Sequence, residues 1–488
     1  MNLILLKYTE CAFMTRTVWR KTMTDLIFLD SNGSSPLYMQ LYEYFKAEIE
    51  QHKLAENEKL PSIRNLANSI SVSKATVEKA YQQLMCEGYI NNRNRACYVV
   101  NKLEETIVKP VYTAGKPKTS ELTDNCKPRY DFASGEMDLN GFDFSVWRRY
   151  VNKVLANKER LFGYGHSKGE TELRKQIGRY VRSRGVECHY EQIIIGPGVQ
   201  SLLNTLCSLL KPTHSSIAFE EPGFTTGRRV WHNWGYTIVP VQMRKEGIDI
   251  RELAQSETRA VYLTPSHQFP TGYIMPVGER MRLLAWAQQN DAVIIEDDYD
   301  SEFRYFGRPI PAMKGLDSGG NVVYLGSFSK VIPPSLRISY MILPDRLLEL
   351  YERNAALYNQ AVSTIEQLTL AQYMADGHLE RQIRRLRKLY YEKKMQFIDT
   401  IQRVFSNQVA IQDNESGLFI VLTVKRPGTS QDIFLKAMQH GCQVAPIQNY
   451  YWETVQESFP RVILYFSKIP VHEMEEAIKL LKKAWFEE

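Results

Sequence analysis

The sequence predicts an α/β protein in two parts, a winged helix-turn-helix followed by a larger domain built on a mostly parallel sheet. Three observations predict it. Two short helical patterns flank the tight turn ISVS between Pro61 and Gly88. A stretch with several prolines and lysines and little apolar periodicity comes next. From Tyr130 onward, short apolar runs alternate with helical stretches. At 488 residues the chain is too long for one ordinary domain. Its 44% hydrophobic content suits a sizeable core rather than a disordered chain.

Residues 1–22 show no clear period and read as an extension; Met23 is an alternative start, and a short arm is the other reading. The first domain is expected over 23–100. PLYMQLYEYFKAEIEQH, at 36–52, puts Leu37, Leu41, Tyr44, Phe45 and Ile49 on one helical face. A second, short helix begins near Pro61 and Ser62 and carries Leu66, Ala67 and Ile70. After the turn, a third helix turns Val77, Ala80, Tyr81 and Leu84 inward and stops at Gly88. Two short helices across such a turn form a helix-turn-helix. YINNRNRACYVV then alternates like a small hairpin, a wing. Between Lys59 and Lys102 there are seven Lys or Arg against two acids, so much of the chain's net charge of +6 gathers here.

Residues 101–129, with Pro110, Pro117 and Pro128, have linker composition. The large domain is expected over 130–488. Its strand-like runs include QIIIG, SIAFEE, RAVYLT, AVIIED and NVVYLGS. Apolar strands spaced by helices read as a parallel sheet covered on both faces.

Several classes of function are disfavoured. The seven cysteines are odd in number and form no C-x-x-C pair, which argues against a disulfide framework or zinc site and for a reducing cytoplasm. The nine histidines show no H-x-x-x-H or H-E-x-x-H spacing, so no metal is expected. No apolar stretch approaches membrane-span length.

In open α/β sheets, ligands bind beyond the carboxyl ends of the strands, and the reactive residues of this sequence cluster there. QIIIG is followed by PGVQSLLNTL, a glycine turn opening a helix whose free amides could hold a phosphate. AVIIE leads to Asp297 and Tyr299, and NVVYLG leads to Ser327, Ser329, Lys330 and Arg337. An amine for a Schiff base, a carboxylate for a pyridinium proton and a phosphate cup are what pyridoxal phosphate needs. Each element alone is weak: a strand-end Asp is more often a helix cap, and a lone Lys is usually solvated.

From Gly163 to about Leu343 the chain resembles the fold type I aminotransferases. The strings TPSHQFPTG, IIEDDYDSEF and SFSKVIPPSLRISY carry that resemblance. The amino-terminal LPSIRNLANSISVSKATVEKAYQQLMCEGYI resembles the GntR-type winged helix. Joined, they are similar to the MocR/GabR regulators, bacterial transcription factors with an aminotransferase-like sensor domain. The resemblance implies pyridoxal 5′-phosphate as cofactor, with Lys330 forming the internal aldimine, Asp297 pairing with the pyridine nitrogen and Tyr299 at the phenolic oxygen. Gly198, Val199 and Gln200 would bind phosphate through backbone groups, completed by Ser327, Ser329 and Arg337. Phe224 falls where a ring stacks on the cofactor; core packing is the alternative. YGHSKG, at 164–169, resembles a stretch that reaches a partner subunit's site, which implies a homodimer.

The sequence also departs from that pattern. Aminotransferases often carry Asn where this chain has Phe269, so His267 or Gln268 is expected to supply the missing polar group, or nothing does. Of two arginines expected to seat an effector carboxylate, Arg461 resembles one, while near Phe224 the arginines stand further on, as Arg228 and Arg229. Sensing of GABA is therefore not expected. The favoured signal is pyridoxal phosphate itself, with an amino acid seated by Arg461 and Arg228 as second choice. For double-stranded operator DNA, Arg64, Ser73, Lys74, Thr76 and Lys79 are the recognition candidates. Arg93 and Arg95 in the glycine-free wing could reach a backbone or minor groove. A solvated face is the alternative for each basic residue. The whole reads as a cofactor-dependent transcriptional regulator. Its rivals are a working aminotransferase with an attached DNA-binding domain and a DNA-binding module whose large domain has lost its cofactor.

Overall fold

The computed structural model describes residues 27–31, 33–93, 97–103, 128–244, 247–306, 311–412, 416–453 and 455–487. The chain divides into two compact units, Met1–Thr123 and Asp124–Glu488.

In the smaller unit three helices precede a hairpin: α1 (Leu37–Glu50), α2 (Ile63–Ser69), α3 (Lys74–Cys86), β1 (Ile90–Arg93) and β2 (Cys97–Val100). The two strands pair antiparallel, from Ile90 opposite Val100 to Arg93 opposite Cys97. Leu41, Phe45 and Ile49 of α1 pack with Leu66, Ala67, Val77, Ala80, Tyr81 and Leu84. The inward tyrosine is Tyr42 rather than Tyr44, which is only partly covered. Tyr42 lies beside Leu41 and widens the apolar stripe, and its hydroxyl donates to Glu87 at the end of α3. Both helices of the turn begin on a serine cap. Ser62 Oγ accepts from Asn65 N at 3.3 Å, and Ser73 Oγ accepts from Thr76 N at 3.1 Å. Between them Ser71 adopts a left-handed φ of 55° to make the turn.

The larger unit is organised by an eight-stranded sheet: β3 (Ile193–Gly196), β4 (Ser216–Glu221), β5 (Thr237–Arg244), β6 (Gly247–Ile248), β7 (Ala260–Leu263), β8 (Val293–Asp298), β9 (Val322–Ser327) and β10 (Ser339–Ile342). The spatial order is β3-β10-β9-β8-β7-β4-β5-β6. Neighbours from β9 through β5 run parallel, while β10 and β6 are antiparallel to theirs. The five apolar runs QIIIG, SIAFEE, RAVYLT, AVIIED and NVVYLGS are all strands of this sheet. Strands β4, β7, β8 and β9 are buried almost throughout, as expected of a sheet covered on both faces. One face packs on α4 (Val199–Leu210) through Leu202, Leu203 and Leu206; the other packs on α5 (Val277–Gln289) through Leu283, Leu284 and Ala287.

Beyond the long helix α6 (His378–Phe405) lies a second, antiparallel sheet: β11 (Val409–Gln412), β12 (Phe419–Val424), β13 (Ala445–Pro446) and β14 (Arg461–Tyr465), in the order β11-β12-β14-β13. Because β7, β8 and β9 are parallel, their carboxyl ends share one edge of the large sheet. That edge holds the site.

Candidate functional site

At this edge a cavity of about 270 Å³ opens between the two sheets. Strand ends and following loops of the large sheet supply Thr264, Phe269, Asp297, Tyr299, Asp300, Ser327, Ser329 and Lys330; the carboxyl-terminal region supplies Leu418, Tyr450 and Tyr465. Val199 and Phe224 complete the wall with Thr225 and Thr226.

Asp297 is the penultimate residue of β8 and only 6% exposed. Register places Tyr262 opposite Ile295, two residues away and hence on the same face as Asp297. The Tyr262 hydroxyl donates to Asp297 Oδ2, while Asp297 Oδ1 is buried with no partner in the protein. Burial pushes the Asp297 carboxyl up to about 7, opposed by the Tyr262 hydrogen bond and reinforced by the charges of Asp298 and Asp300. An unpaired carboxylate oxygen in such a place is an acceptor awaiting a donor. Asp298, on the opposite face of β8, accepts instead from Tyr324 and Ser301.

Lys330 is partly buried, and its Nζ donates to Gly135 O at 2.6 Å. A Cβ on Gly135 would lie 2.8 Å from that nitrogen and 2.5 Å from the Tyr465 ring, so only glycine lets the backbone approach so closely. Burial lowers the Lys330 pKa, against the opposing pull of Asp300 and Glu136. The result is an amine more readily neutral, hence nucleophilic, than a surface lysine.

A third cluster forms the polar end. Ser327 and Ser329 hydroxyls lie 3.0 Å apart, and Ser339 donates to Ser327 at 3.0 Å. The amino end of α4 begins beside them at Gly198, whose φ is 109°. Arg337, itself left-handed at φ 53°, donates to Pro197 O at 3.1 Å. A Cβ on Gly198 would fall 2.1 Å from Arg337 Nη2, so this glycine is required for the guanidinium to reach the helix start. First-turn amides without helical partners, hydroxyls and a guanidinium make an anion cup.

Two family models match, aminotransferase class I and II over residues 128–480 and the gntR family of bacterial regulatory proteins over 37–100. The chain is 40% identical over 460 residues to "Uncharacterized HTH-type transcriptional regulator YdeL" of Bacillus subtilis, covering 94% of this chain and 98% of that one. It is 31% identical over 474 residues to "Probable rhizopine catabolism regulatory protein MocR" of Rhizobium meliloti, covering 94% and 96%. This chain belongs to the MocR-type regulators. Its similarity to "HTH-type pyridoxine biosynthesis transcriptional regulator PdxR" of Corynebacterium glutamicum is 30% over 430 residues, covering 88% and 92%. Among solved structures, kynurenine aminotransferase of Pyrococcus horikoshii shares the fold, with a TM-score of 0.66 at 23% identity over 74% of this chain and 92% of that one. For a MocR-type chain the class I and II aminotransferase domain indicates pyridoxal 5′-phosphate as the cofactor. The unpartnered Asp297 oxygen, the Lys330 amine and the anion cup fit its pyridine nitrogen, aldehyde and phosphate.

Lys330, Asp297, Tyr299, Ser327, Ser329, Val199 and Phe224 come together on the cavity wall of this MocR-type protein. Gly198, Gln200 and Arg337 sit at its polar end without being among the residues that line it. Phe224 stacks on Tyr262, with centroids 6.0 Å apart and planes at 26°. His267 does not line the cavity. Its ring is buried, Nδ1 lies 2.8 Å from Asp300 Oδ2 and 3.0 Å from the Tyr299 hydroxyl, and Phe419 stacks against it. Gln268 is tied to backbone, donating to Pro222 O just after β4 and to Phe269 O at 2.9 and 2.7 Å. Neither is among the described residues that line the cavity.

The effector arginines are not presented to the cavity either. Arg228 is fully buried; its Nη2 lies 2.6 Å from Glu221 Oε2 and also donates to Glu220 O. Arg461 directs Nε and Nη2 to Glu457 Oε1, each at 2.8 Å, and donates to Tyr451 at 3.1 Å. Sequence reasoning missed Tyr262, Gly135 and the wall of Leu418, Tyr450 and Tyr465. The even spacing of strand residues could have flagged Tyr262, but nothing local marks the other four.

In the gntR-type unit Arg64, Lys74 and Lys79 are exposed near the start of α2 and along α3. Lys79 Nζ lies 5.8 Å from the Tyr38 ring centre. Ser73 and Thr76 have another occupation, since their hydroxyls meet at 2.8 Å and Ser73 caps α3. Arg93 ends β1, but its side chain lies outside the described residues, as does Arg95. Among the described residues no cluster suited to a metal ion occurs, and no helix is long and apolar enough to cross a membrane.

Proposed function

We propose that this chain is a cytoplasmic, homodimeric transcriptional regulator. It reads operator DNA through α3 and its wing, and its large unit senses pyridoxal phosphate. The observation that carries this reading is the shared cavity of Lys330 and the unpartnered Asp297 oxygen. Lys330 would hold the cofactor covalently, Asp297 would accept from the ring nitrogen, and Tyr299 would face the phenolic oxygen. Gly198, Val199, Gln200, Ser327, Ser329 and Arg337 would take the phosphate, with Phe224 against the ring. The cofactor supplies an aldehyde carbon that amines attack and a ring that withdraws electrons. The protein supplies position, a low-dielectric wall and a fixed carboxylate. His267, held by Asp300, would keep the Tyr299 hydroxyl in one orientation.

Arg64 and Lys74, with Lys79 and the wing arginines, would contact phosphates or base edges. The exposed Phe162 and Tyr164, at 90% and 108%, are apolar side chains that a second copy would cover. The name of the PdxR relative favours the cofactor itself as the signal, and the occupied state of Arg228 and Arg461 disfavours an amino acid. Cofactor can bias DNA binding only by unequal affinity for two arrangements of the protein. The test is to purify the protein, look for visible absorbance that borohydride removes, and compare operator affinity with and without cofactor. Equal affinity and footprint in the two forms would overturn the sensor.

The second reading, catalytic turnover, is favoured by the depressed Lys330 amine, which suits proton transfer as well as attachment. Steady conversion of an amino donor and a keto acid would establish it.

A further inference from the structure

We propose that the cavity selects, as the amine that joins the cofactor, a primary monoamine with an apolar aryl or alkyl tail and no carboxylate. The proposal rests on the cofactor reading and adds the chemical class of the second ligand.

The cavity wall is of two kinds. Ser327 and Ser329 belong to the anion cup, whereas Phe269, Leu418, Tyr450 and Tyr465 are apolar or aromatic, with the Tyr465 ring centre 5.9 Å from Lys330 Nζ. Phe269 meets Tyr450 edge-on with centroids 4.8 Å apart and planes at 88°, and meets Tyr299 at 6.1 Å and 85°. Phe269 and Tyr450 set each other edge-on, while the Tyr299 hydroxyl lies 3.0 Å from His267 Nδ1. Such a box favours an aryl or branched alkyl group.

The charges point the same way. Among the described lining residues Lys330 is the only base, against the two acids Asp297 and Asp300. A carboxylate entering beside the aromatic wall would lose its water and meet no guanidinium. Arg228 is enclosed with Glu221. Arg461 is held by Glu457 and donates to Tyr451, and it is not among the described residues that line the cavity. An unpaired charge in such a place is strongly disfavoured, so the carboxylate-bearing analogue should bind at least about 100-fold more weakly.

The chemistry balances without a further reagent. A neutral amine attacks the aldehyde-derived carbon and forms a new carbon–nitrogen double bond. The bond from that carbon to Lys330 Nζ breaks, and the two hydrogens given up by the incoming nitrogen pass to Lys330. Nothing is oxidised or reduced.

A matched pair of probes tests the idea: phenethylamine and phenylalanine, which differ only by the carboxylate. Both are titrated into cofactor-loaded full-length protein, with the visible spectrum and operator affinity as readouts. The expected result is a saturable spectral shift with phenethylamine and none with phenylalanine at a 100-fold higher concentration. Phe269→Leu should weaken phenethylamine about threefold to tenfold, as expected when one aromatic pair is removed. An equal or stronger response to phenylalanine overturns the proposal, and so does silence toward both probes; either leaves the cofactor reading intact if borohydride still removes the band. Protein that never takes up cofactor ends both readings together.

Discussion

The two units present opposite kinds of site. In the small unit the candidates Arg64, Lys74 and Lys79 stand in solvent, on helices held by a core of their own. In the large unit Asp297, Asp300 and His267 are each no more than 6% exposed, and each depends on buried neighbours. Exposed charges act through a screened field, so each counts modestly and nearly independently. Buried groups act through desolvation and fixed partners, so losing one is abrupt. Mutation should therefore produce graded losses in one unit and all-or-none losses in the other.

The largest expected effect is that of Lys330→Ala. Lys330 is the one amine among the described residues that line the cavity, so this variant should lose the borohydride-reducible band completely while remaining folded by circular dichroism. Survival of the band would move the attachment elsewhere. Asp297→Asn comes next. It keeps the shape but removes the charge that a ring proton would pair with, and cofactor affinity should fall about 100-fold or more by spectral titration. Unchanged affinity would make Asp297 structural only.

Asp297 also carries a pH signature. Burial pushes Asp297, Glu220 and Glu296 each up to about 7 in the folded protein. Unfolded carboxyls titrate near about 4, so between those values the folded state holds more protons. Their contribution to stability is fully present below about pH 4 and is lost as pH rises through about 7. Cofactor-free protein should thus become less stable over that window in denaturant titrations, and Asp297→Asn should flatten the trend. A variant with the wild-type slope would assign the effect to the other two carboxyls.

In the small unit, Arg64→Ala and Lys74→Ala should leave the cofactor spectrum untouched. A side chain that neutralises one DNA phosphate contributes about 0.9 to the slope of log affinity against log salt, so its removal should flatten that slope by as much. Wild-type affinity and slope in both variants would place the DNA surface on other residues.

Legibility differed between the units for the same reason. The small unit is local: caps, turn and apolar stripe lie within a few residues of one another, so its helices could be read with one misplaced tyrosine. In the large unit the apolar runs announced the strands, and parallel pairing brought their ends to one edge, so Asp297, Ser327 and Lys330 could be placed. Partner choice was not legible. Arg228 looked free until Glu221, seven residues before it, proved to turn back on it. Arg461 is occupied by Glu457 one helical turn's length upstream, although no helix links them. The aromatic wall depends on Leu418, Tyr450 and Tyr465, far from Phe269 in sequence, which only the packing of the second sheet brings near.

The smallest expected effect separates two roles for one side chain. Ser73 stands at the start of α3, where a hydroxyl could meet a base edge, yet its Oγ accepts from Thr76 N at 3.1 Å and meets Thr76 Oγ1 at 2.8 Å. A cap satisfies an amide that the helix leaves without a partner, and its loss costs about 1 kcal/mol. Ser73→Ala should therefore lower the stability of the small unit by about that amount, while Ser73→Asp, which also caps, should restore it. The aspartate adds a negative charge toward DNA, so the same variant should bind operator more weakly. Stability and affinity then move in opposite directions between the two substitutions. If Ser73→Ala weakens DNA binding with no loss of stability, the hydroxyl touches DNA and its capping bond is incidental.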